Sequence, residues 1–321
     1  MSVTPPPVDP ELAPAVDLDS MRITLTSEVI ERIRAATAPV PTLDELRRDG
    51  AFTVAEHLAR PTGGGAAEVP LLLCRPAGAV ERLPVLYYLH GGGMVMGHAR
   101  QNLDYVLQWA RELRAAVVSV EYRLAPEHPY PAALDEGLAA MAWITGRAQE
   151  EGIDPDRVLV VGFSGGGALA AGLTLRLRDA KELRPVGQML VGPMLDDRGG
   201  TLSARQFAHL GGWNRGTNEA AWTHVLGGLR GTAVVSAYAV PARAGDLSGL
   251  PATYLEVGSA ETFRDEVVAY ASGMWAAGGD AELHVFPGGF RGFDFLAPGA
   301  ALSRDARDAR LRWLRRMLPV R

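Results

Sequence analysis

The chain has 321 residues, 47% of them hydrophobic and 21% charged, with a formal net charge of −5 at pH 7. This supports a sizeable core in one α/β domain or two smaller ones, and the acidic balance with no basic run argues against nucleic-acid binding. A lone cysteine, Cys74, excludes an internal disulfide, no apolar run is long enough for a bilayer, and the N-terminus lacks a signal-peptide pattern, so a cytoplasmic protein without membrane insertion is expected. All but one of the basic residues are arginine, the exception being Lys181.

In chain order, the first eight or so residues are Pro-rich and read as extended or disordered. Ser27 is placed to cap a helix through about Ala36, and Thr42 one that begins at Leu43. Phe52 to Ala59 and Val69 to Arg75 read as strands joined by a turn at Gly63, Gly64 and Gly65. Leu83 to Leu89 is a further strand, followed by a helix over Leu103 to Ala115 and a strand over Ala116 to Val120. A Pro-punctuated loop from Glu121 to Ala133 opens a helix from about Ala132 to Ala148. Val158 to Val161 is a β-branched run suited to a strand buried on both faces. A strand near Val186 to Val191 comes next, and Met194 to Leu229 reads as irregular. Strands over Ala252 to Val257 and Ala281 to Phe286 flank a helix from about Arg264 to Ala277. A last amphipathic helix covers about Ser303 to Leu318. Alternating strands and helices from Leu83 onward predict a mostly parallel sheet with helices on both faces.

Two glycine-rich turns carry the chemistry. Gly162, Ser164 and Gly166 fit G-x-S-x-G between a buried strand and an Ala/Leu-rich helix, the setting of a nucleophile elbow. The glycines are needed because a Cβ beside the strained serine would collide with the adjoining strand and helix. Ser164 is therefore the candidate nucleophile. Upstream, His90-Gly91-Gly92-Gly93 ends another apolar strand; successive glycines let backbone N–H groups face a substrate oxygen.

With these motifs, and with the Tyr122 to Ala132 loop, the chain resembles the hormone-sensitive-lipase family of the α/β-hydrolases, in its bacterial carboxylesterase branch. Segments such as Asp196-Asp197-Arg198, Gly258-Ser259-Ala260-Glu261 and Pro287-Gly288-Gly289-Phe290 extend the resemblance over nearly the whole length. It implies an α/β-hydrolase fold with a helical cap, formed by residues 1–48 and helped by about 199–230, over a core of residues 49–321. It further implies an oxyanion hole from the N–H groups of Gly92, Gly93 and Gly165, with His90 structural.

The triad order of this fold is serine, acid, histidine. Glu261 stands just past the next-to-last strand and is favoured as the acid over Asp265, which falls in the first turn of a helix. The family's histidine sits in a His-Gly-Phe segment after the last strand; here that segment is Arg291-Gly292-Phe293. A guanidinium, with a pKa above ~12, cannot take the serine proton near neutral pH. An Arg291–Glu261 ion pair is expected in its place. His284 lies inside the last strand, His128 and His98 are the remaining candidates for a base, and His57, His209 and His224 read as surface or packing residues. No metal-ligand spacing and no dinucleotide motif is present, so no cofactor is expected.

The reading is a carboxylesterase-type serine hydrolase by descent, acting on a small-molecule ester or related carbonyl compound, with hydrolysis weakened or lost through Arg291. One alternative is a non-hydrolytic enzyme on the same scaffold, using Arg291 to bind a carboxylate or enolate. Another is an inactivated relative or engineered variant that binds small molecules without turnover. A homo-oligomer is compatible with each.

Overall fold

The computed structural model describes residues 3–17, 23–36, 40–60 and 68–320. Its strands are β1 (Phe52–Ala59), β2 (Val69–Pro76), β3 (Leu83–Leu89), β4 (Ala116–Val120), β5 (Ile153–Phe163), β6 (Gly187–Val191), β7 (Ala252–Gly258) and β8 (Ala281–Phe286). The α-helices are α1 (Ser27–Ala35), α2 (Leu43–Arg47), α3 (Leu103–Leu113), α4 (Ala132–Arg147), α5 (Gly165–Ala180), α6 (Leu202–Gln206), α7 (Arg215–Leu226), α8 (Arg264–Ala276), α9 (Phe293–Leu296) and α10 (Ala301–Met317).

The strands form one sheet in the order β1-β2-β4-β3-β5-β6-β7-β8. β2 runs antiparallel to both β1 and β4, and every pairing from β4 through β8 is parallel. Period-two alternation sorts the side chains between two cores. Val85, Tyr87, Leu89 and Val160 face α4, α5 and α8, whereas Leu86, Tyr88, Leu159 and Val161 face α3 and α10. Both faces of the central strands are covered, which is why they read as unbroken apolar runs. Each fully buried Val, Leu or Tyr of this kind contributes roughly 1.5–3 kcal/mol.

The parallel register fixes where the chemistry collects. Leu89 pairs with Gly162, so the turns that leave β3 and β5 emerge side by side at one sheet edge. Phe163 pairs with Val191, and Gly258 pairs with Phe286, bringing the loops after β6, β7 and β8 to that same edge.

Over these loops lie α1 and α7. The Thr217 hydroxyl donates to the Ile23 carbonyl at 2.7 Å, and His224 Nε2 is 3.2 Å from the Leu25 carbonyl. Arg34 on α1 reaches down to the carbonyls of Val95, at 2.9 Å, and Ala125, at 2.7 Å. An N-terminal strap runs beside the end of β8: the Asp9 amide donates to the Gly288 carbonyl at 3.0 Å, and Gln206 donates to the Thr4 carbonyl at 2.7 Å. Leu12 on this strap is fully buried, and Glu11 accepts from the Ala301 amide at 2.8 Å.

Several expectations need correction. Thr26, not Ser27, caps α1, because Thr26 is the residue with extended backbone and its hydroxyl accepts from the Val29 amide. Thr42 caps α2 as expected, in a capping box with Glu45. The stretch from Met194 to Leu229 is not irregular throughout: Thr201 and Asn214 accept from amides three residues on and start α6 and α7. β5 begins at Ile153, ahead of Val158, since Ile153 pairs with Leu83 across a register irregularity. Residues 3–8, expected to be extended or disordered, form neither helix nor strand, and Gln206 donates to the Thr4 carbonyl within them. The glycine turn at Gly63, Gly64 and Gly65 lies outside the described residues.

Candidate active site

Ser164 sits between β5 and α5 with φ 57° and ψ −119°, a conformation that L-residues rarely adopt. It is held there by the Val191 carbonyl, which accepts from the Ser164 amide at 3.0 Å. The glycines around it are close-packed. A Cβ on Gly162 would stand 2.3 Å from the Gly166 carbonyl oxygen, and one on Gly166 would stand 2.2 Å from that of Leu89. Only glycine lets the strand, the turn and the helix approach this closely.

The β3 turn lies directly against the serine. A Cβ on Gly91 would be 3.4 Å from Ser164 Cβ, and one on Gly165 would be 2.7 Å from the amide nitrogens of Gly93 and Met94. Gly92 and Gly93 have φ of 112° and 64°. Behind the turn, His90 is fully buried and its ring stacks on Tyr122 with centroids 4.1 Å apart. Burial pushes the His90 imidazole down to about 3, so it is a neutral packing residue.

On the other side of Ser164, Glu261 is 5% exposed and Arg291 Nη1 approaches its Oε2 at 3.1 Å. The second Glu261 oxygen accepts from the Gly258 amide at 3.0 Å, and Nη1 also donates to the Gly192 carbonyl at 3.2 Å. Burial raises the Glu261 carboxyl above its ordinary value, opposed by the charge of Arg291 and by the Gly258 hydrogen bond. The Arg291 guanidinium carbon lies 4.5 Å from the centroid of the Phe263 ring, a cation–π contact. The ion pair anticipated from the sequence is thus formed. Among the described residues, the Ser164 hydroxyl takes part in no hydrogen bond.

A cavity of about 260 Å³ joins these groups, walled by Met96, Trp213, Phe290 and Phe295 and opening on Ser164, Glu261 and Arg291. Among the described residues, no histidine lines it. Asp265 faces elsewhere, accepting from the Ser203 amide at 2.7 Å and from Arg264 at 2.7 Å. His284 Nε2 is 2.8 Å from Glu282 on β8, and the His57 ring packs at a tilt against Trp143 with centroids 4.9 Å apart. His209 is exposed, His128 lines a separate small cavity with Met94 and Tyr130, and His98 lines an outer groove beyond Met96. Among the described residues, no three His, Cys, Asp or Glu side chains are grouped as a metal site requires, and no helix is long and apolar enough to cross a membrane.

Two features of the site were not anticipated. Trp213 lies over the glycine turn, so close that a Cβ on Gly93 would meet its ring at 2.2 Å. Beneath the cavity, the fully buried Arg310 on α10 binds Glu256 through Nε at 2.8 Å and Asp294 through Nη1 at 2.5 Å. The sequence held one sign of this network, an arginine on the apolar stripe formed by Ala306, Trp313 and Leu314.

A family model described as the alpha/beta hydrolase fold matches residues 86–295. The chain is 32% identical over 311 residues to carboxylesterase NlhH of Mycobacterium tuberculosis, covering 94% of each protein. It is 31% identical over 243 residues to an ethyl acetate hydrolase of Pseudomonas putida, covering 73% of each. Among solved structures, a bacterial heroin esterase superposes with a TM-score of 0.86 at 36% identity, covering 97% of this chain and 98% of that one. Esterase LipW of Mycobacterium marinum gives 0.82 at 35% identity, covering 99% of this chain and 100% of the other. The serine turn, the parallel register and this similarity over nearly the full length together mean that the chain belongs to the α/β-hydrolase fold family, in its hormone-sensitive-lipase-like branch.

Proposed function

We propose that this protein is a carboxylesterase-type serine hydrolase by descent whose proton acceptor has been replaced by Arg291, leaving ester hydrolysis weak. The observation that carries this reading is the 3.1 Å contact between Arg291 Nη1 and Glu261, which occupies the acid with a permanent cation. Ser164 is the nucleophile, and Gly92, Gly93 and Gly165 supply N–H groups to the oxygen of the ester carbonyl. Attack by the serine oxygen requires its proton to leave, and a guanidinium cannot accept it. The oxyanion donors and substrate positioning alone still support a low rate, because hydrolases that have lost a triad member keep some of their acceleration. The substrate is a small acyl ester, in keeping with the activities named for the relatives. Residues 1–48, with about 199–230, act as the cap over a core of residues 49–321.

The test is a panel of short- and medium-chain p-nitrophenyl esters, run on the protein and on Arg291→His. The histidine variant should hydrolyse them faster by ~10³-fold or more, since imidazole takes the serine proton and returns it to the leaving group. Vigorous hydrolysis by the unaltered protein, or no gain in a folded Arg291→His variant, would overturn the reading.

A further inference from the structure

The geometry points to Arg291 as a carboxylate receptor, binding small carboxylates with an apolar body in the two cavities that meet at its side chain. This does not depend on Ser164 being catalytic.

A guanidinium carries five N–H donors in a planar fork. Nη1 is engaged by Glu261 Oε2 at 3.1 Å and the Gly192 carbonyl at 3.2 Å, and Phe263 covers one face of the group. Among the described residues, no acceptor takes Nε or Nη2. These two nitrogens form the parallel donor pair whose spacing matches the two oxygens of a carboxylate. The side chain keeps 22% of its surface exposed, and neither nitrogen is sealed from solvent, so this edge is reachable.

Arg291 lines both the Ser164 cavity of about 260 Å³ and a second one of about 220 Å³. The second is walled by Val16, Phe207, Leu210, Trp213 and Leu296, and among the described residues its charged members are Glu261 and Arg291. Trp213, Glu261, Phe290 and Arg291 are common to the two. An apolar cavity of about 150 Å³ is enough for benzene, so either space takes a phenyl ring or a chain of similar bulk. The neighbouring carboxylates already have partners: Glu261 has Arg291 and the Gly258 amide, while Glu256 and Asp294 share Arg310. An incoming carboxylate therefore meets unused donors beside an apolar wall. In an esterase the corresponding cation exists only after a histidine has taken the serine proton. Here it is present at rest, and a resting cation favours an anion over a neutral ester.

The probes are phenylacetate, and phenylacetamide as its neutral counterpart of the same shape, titrated by calorimetry and by the fluorescence of the protein, to which Trp213 contributes from the shared wall. Phenylacetate should bind at least about tenfold more tightly than the amide, the ratio expected for a charge-assisted pair. Arg291→Gln should bring the acid down to the affinity of the amide, and Arg291→Lys, which keeps the charge and loses the fork, should fall between. Because Arg291→Gln strands a buried carboxylate, the double variant Glu261→Gln/Arg291→Gln, which leaves no unpaired charge, serves as the second route to the same loss. Equal binding of acid and amide by the unaltered protein, absence of saturable binding, or undiminished binding of phenylacetate in both glutamine variants would each overturn the receptor. These readouts are separate from ester hydrolysis, so failure of either reading leaves the other standing.

Discussion

Replacing Arg310 by methionine should be among the most destabilising single changes in this chain. Arg310 is 0% exposed, and its partners Glu256 and Asp294 are 3% and 2% exposed. Nε binds Glu256 Oε2 at 2.8 Å, Nη2 binds the other oxygen of Glu256, and Nη1 binds Asp294 at 2.5 Å. The Tyr254 hydroxyl adds a hydrogen bond to Glu256 at 2.8 Å. Methionine fills most of the aliphatic volume but leaves two carboxylates buried without a cation. Breaking a buried ion pair by removing one partner costs about 3–5 kcal/mol. With two carboxylates dependent on one guanidinium, the upper half of that range is expected, a large part of the roughly 5–15 kcal/mol that holds a domain together. Urea unfolding followed by circular dichroism measures it. At an m-value near ~3 kcal/mol/M, the midpoint should fall by about 1.3–1.7 M with the slope unchanged. A loss below about 1 kcal/mol would show that the network is not anchored by Arg310 and would refute the reasoning.

Three further outcomes follow from groups around the site. The Glu266 carboxyl is held well above its ordinary value, first by burial and also by the nearby charges of Asp196 and Glu261, against the Leu195 and Asp196 amides that it accepts from. Its ionisation therefore costs stability as pH rises above ~4.3, the unfolded value, and Glu266→Gln should flatten that decline in a series of urea melts; an unchanged pH profile would contradict this. Gly165→Ala should cost about 1–3 kcal/mol and displace the β3 turn, because its Cβ would lie 2.6 Å from Gly93 Cα; paired melts of variant and parent decide it. Cys74 is fully buried and its thiol is pushed up to about 12, so iodoacetamide at pH 8 should label it only after unfolding, as mass spectrometry would show.

Strand positions were legible in the sequence wherever both faces are covered. Leu83 to Leu89 is a near-continuous apolar run and Ala116 to Val120 one broken only by Ser119, and the structure keeps those limits. The region from Met194 to Leu229 was harder for a physical reason. α6 is only five residues long, and the face that α7 buries mixes the polar Thr217 and Asn218 with Ala221, Trp222, Val225 and Leu226, so neither shows a clean helical period. The cap residues Thr201 and Asn214 were the available signal. Ser164 and the glycine turn stood out by their own motifs, whereas Glu261 and Arg291 were placed only through the resemblance, by the triad order and by the Arg291-Gly292-Phe293 segment. Arg310 was only half legible: its place on the stripe of Ala306, Trp313 and Leu314 pointed inward, but its partners Glu256 and Asp294 come from other elements that only the fold brings to it.

The strap that runs beside β8 has a consequence for the order in which the molecule can be completed. Asp9 finds its partner at Gly288, and Glu11 finds its partner at Ala301. A ribosome adding about 5–20 residues per second needs on the order of 15–60 s to make the intervening chain. For that interval Asp9 and Glu11 lack these partners, although Gln206, which holds Thr4, is made earlier, and a strand-forming sequence there would seek other edges. Pro5, Pro6 and Pro7 lack amide donors and cannot join a ladder, so the segment waits without competing. Closing the strap onto Gly288 and Ala301 must wait until both have been made, and the cavity that Val16 shares with Phe290, Arg291 and Leu296 is completed only then.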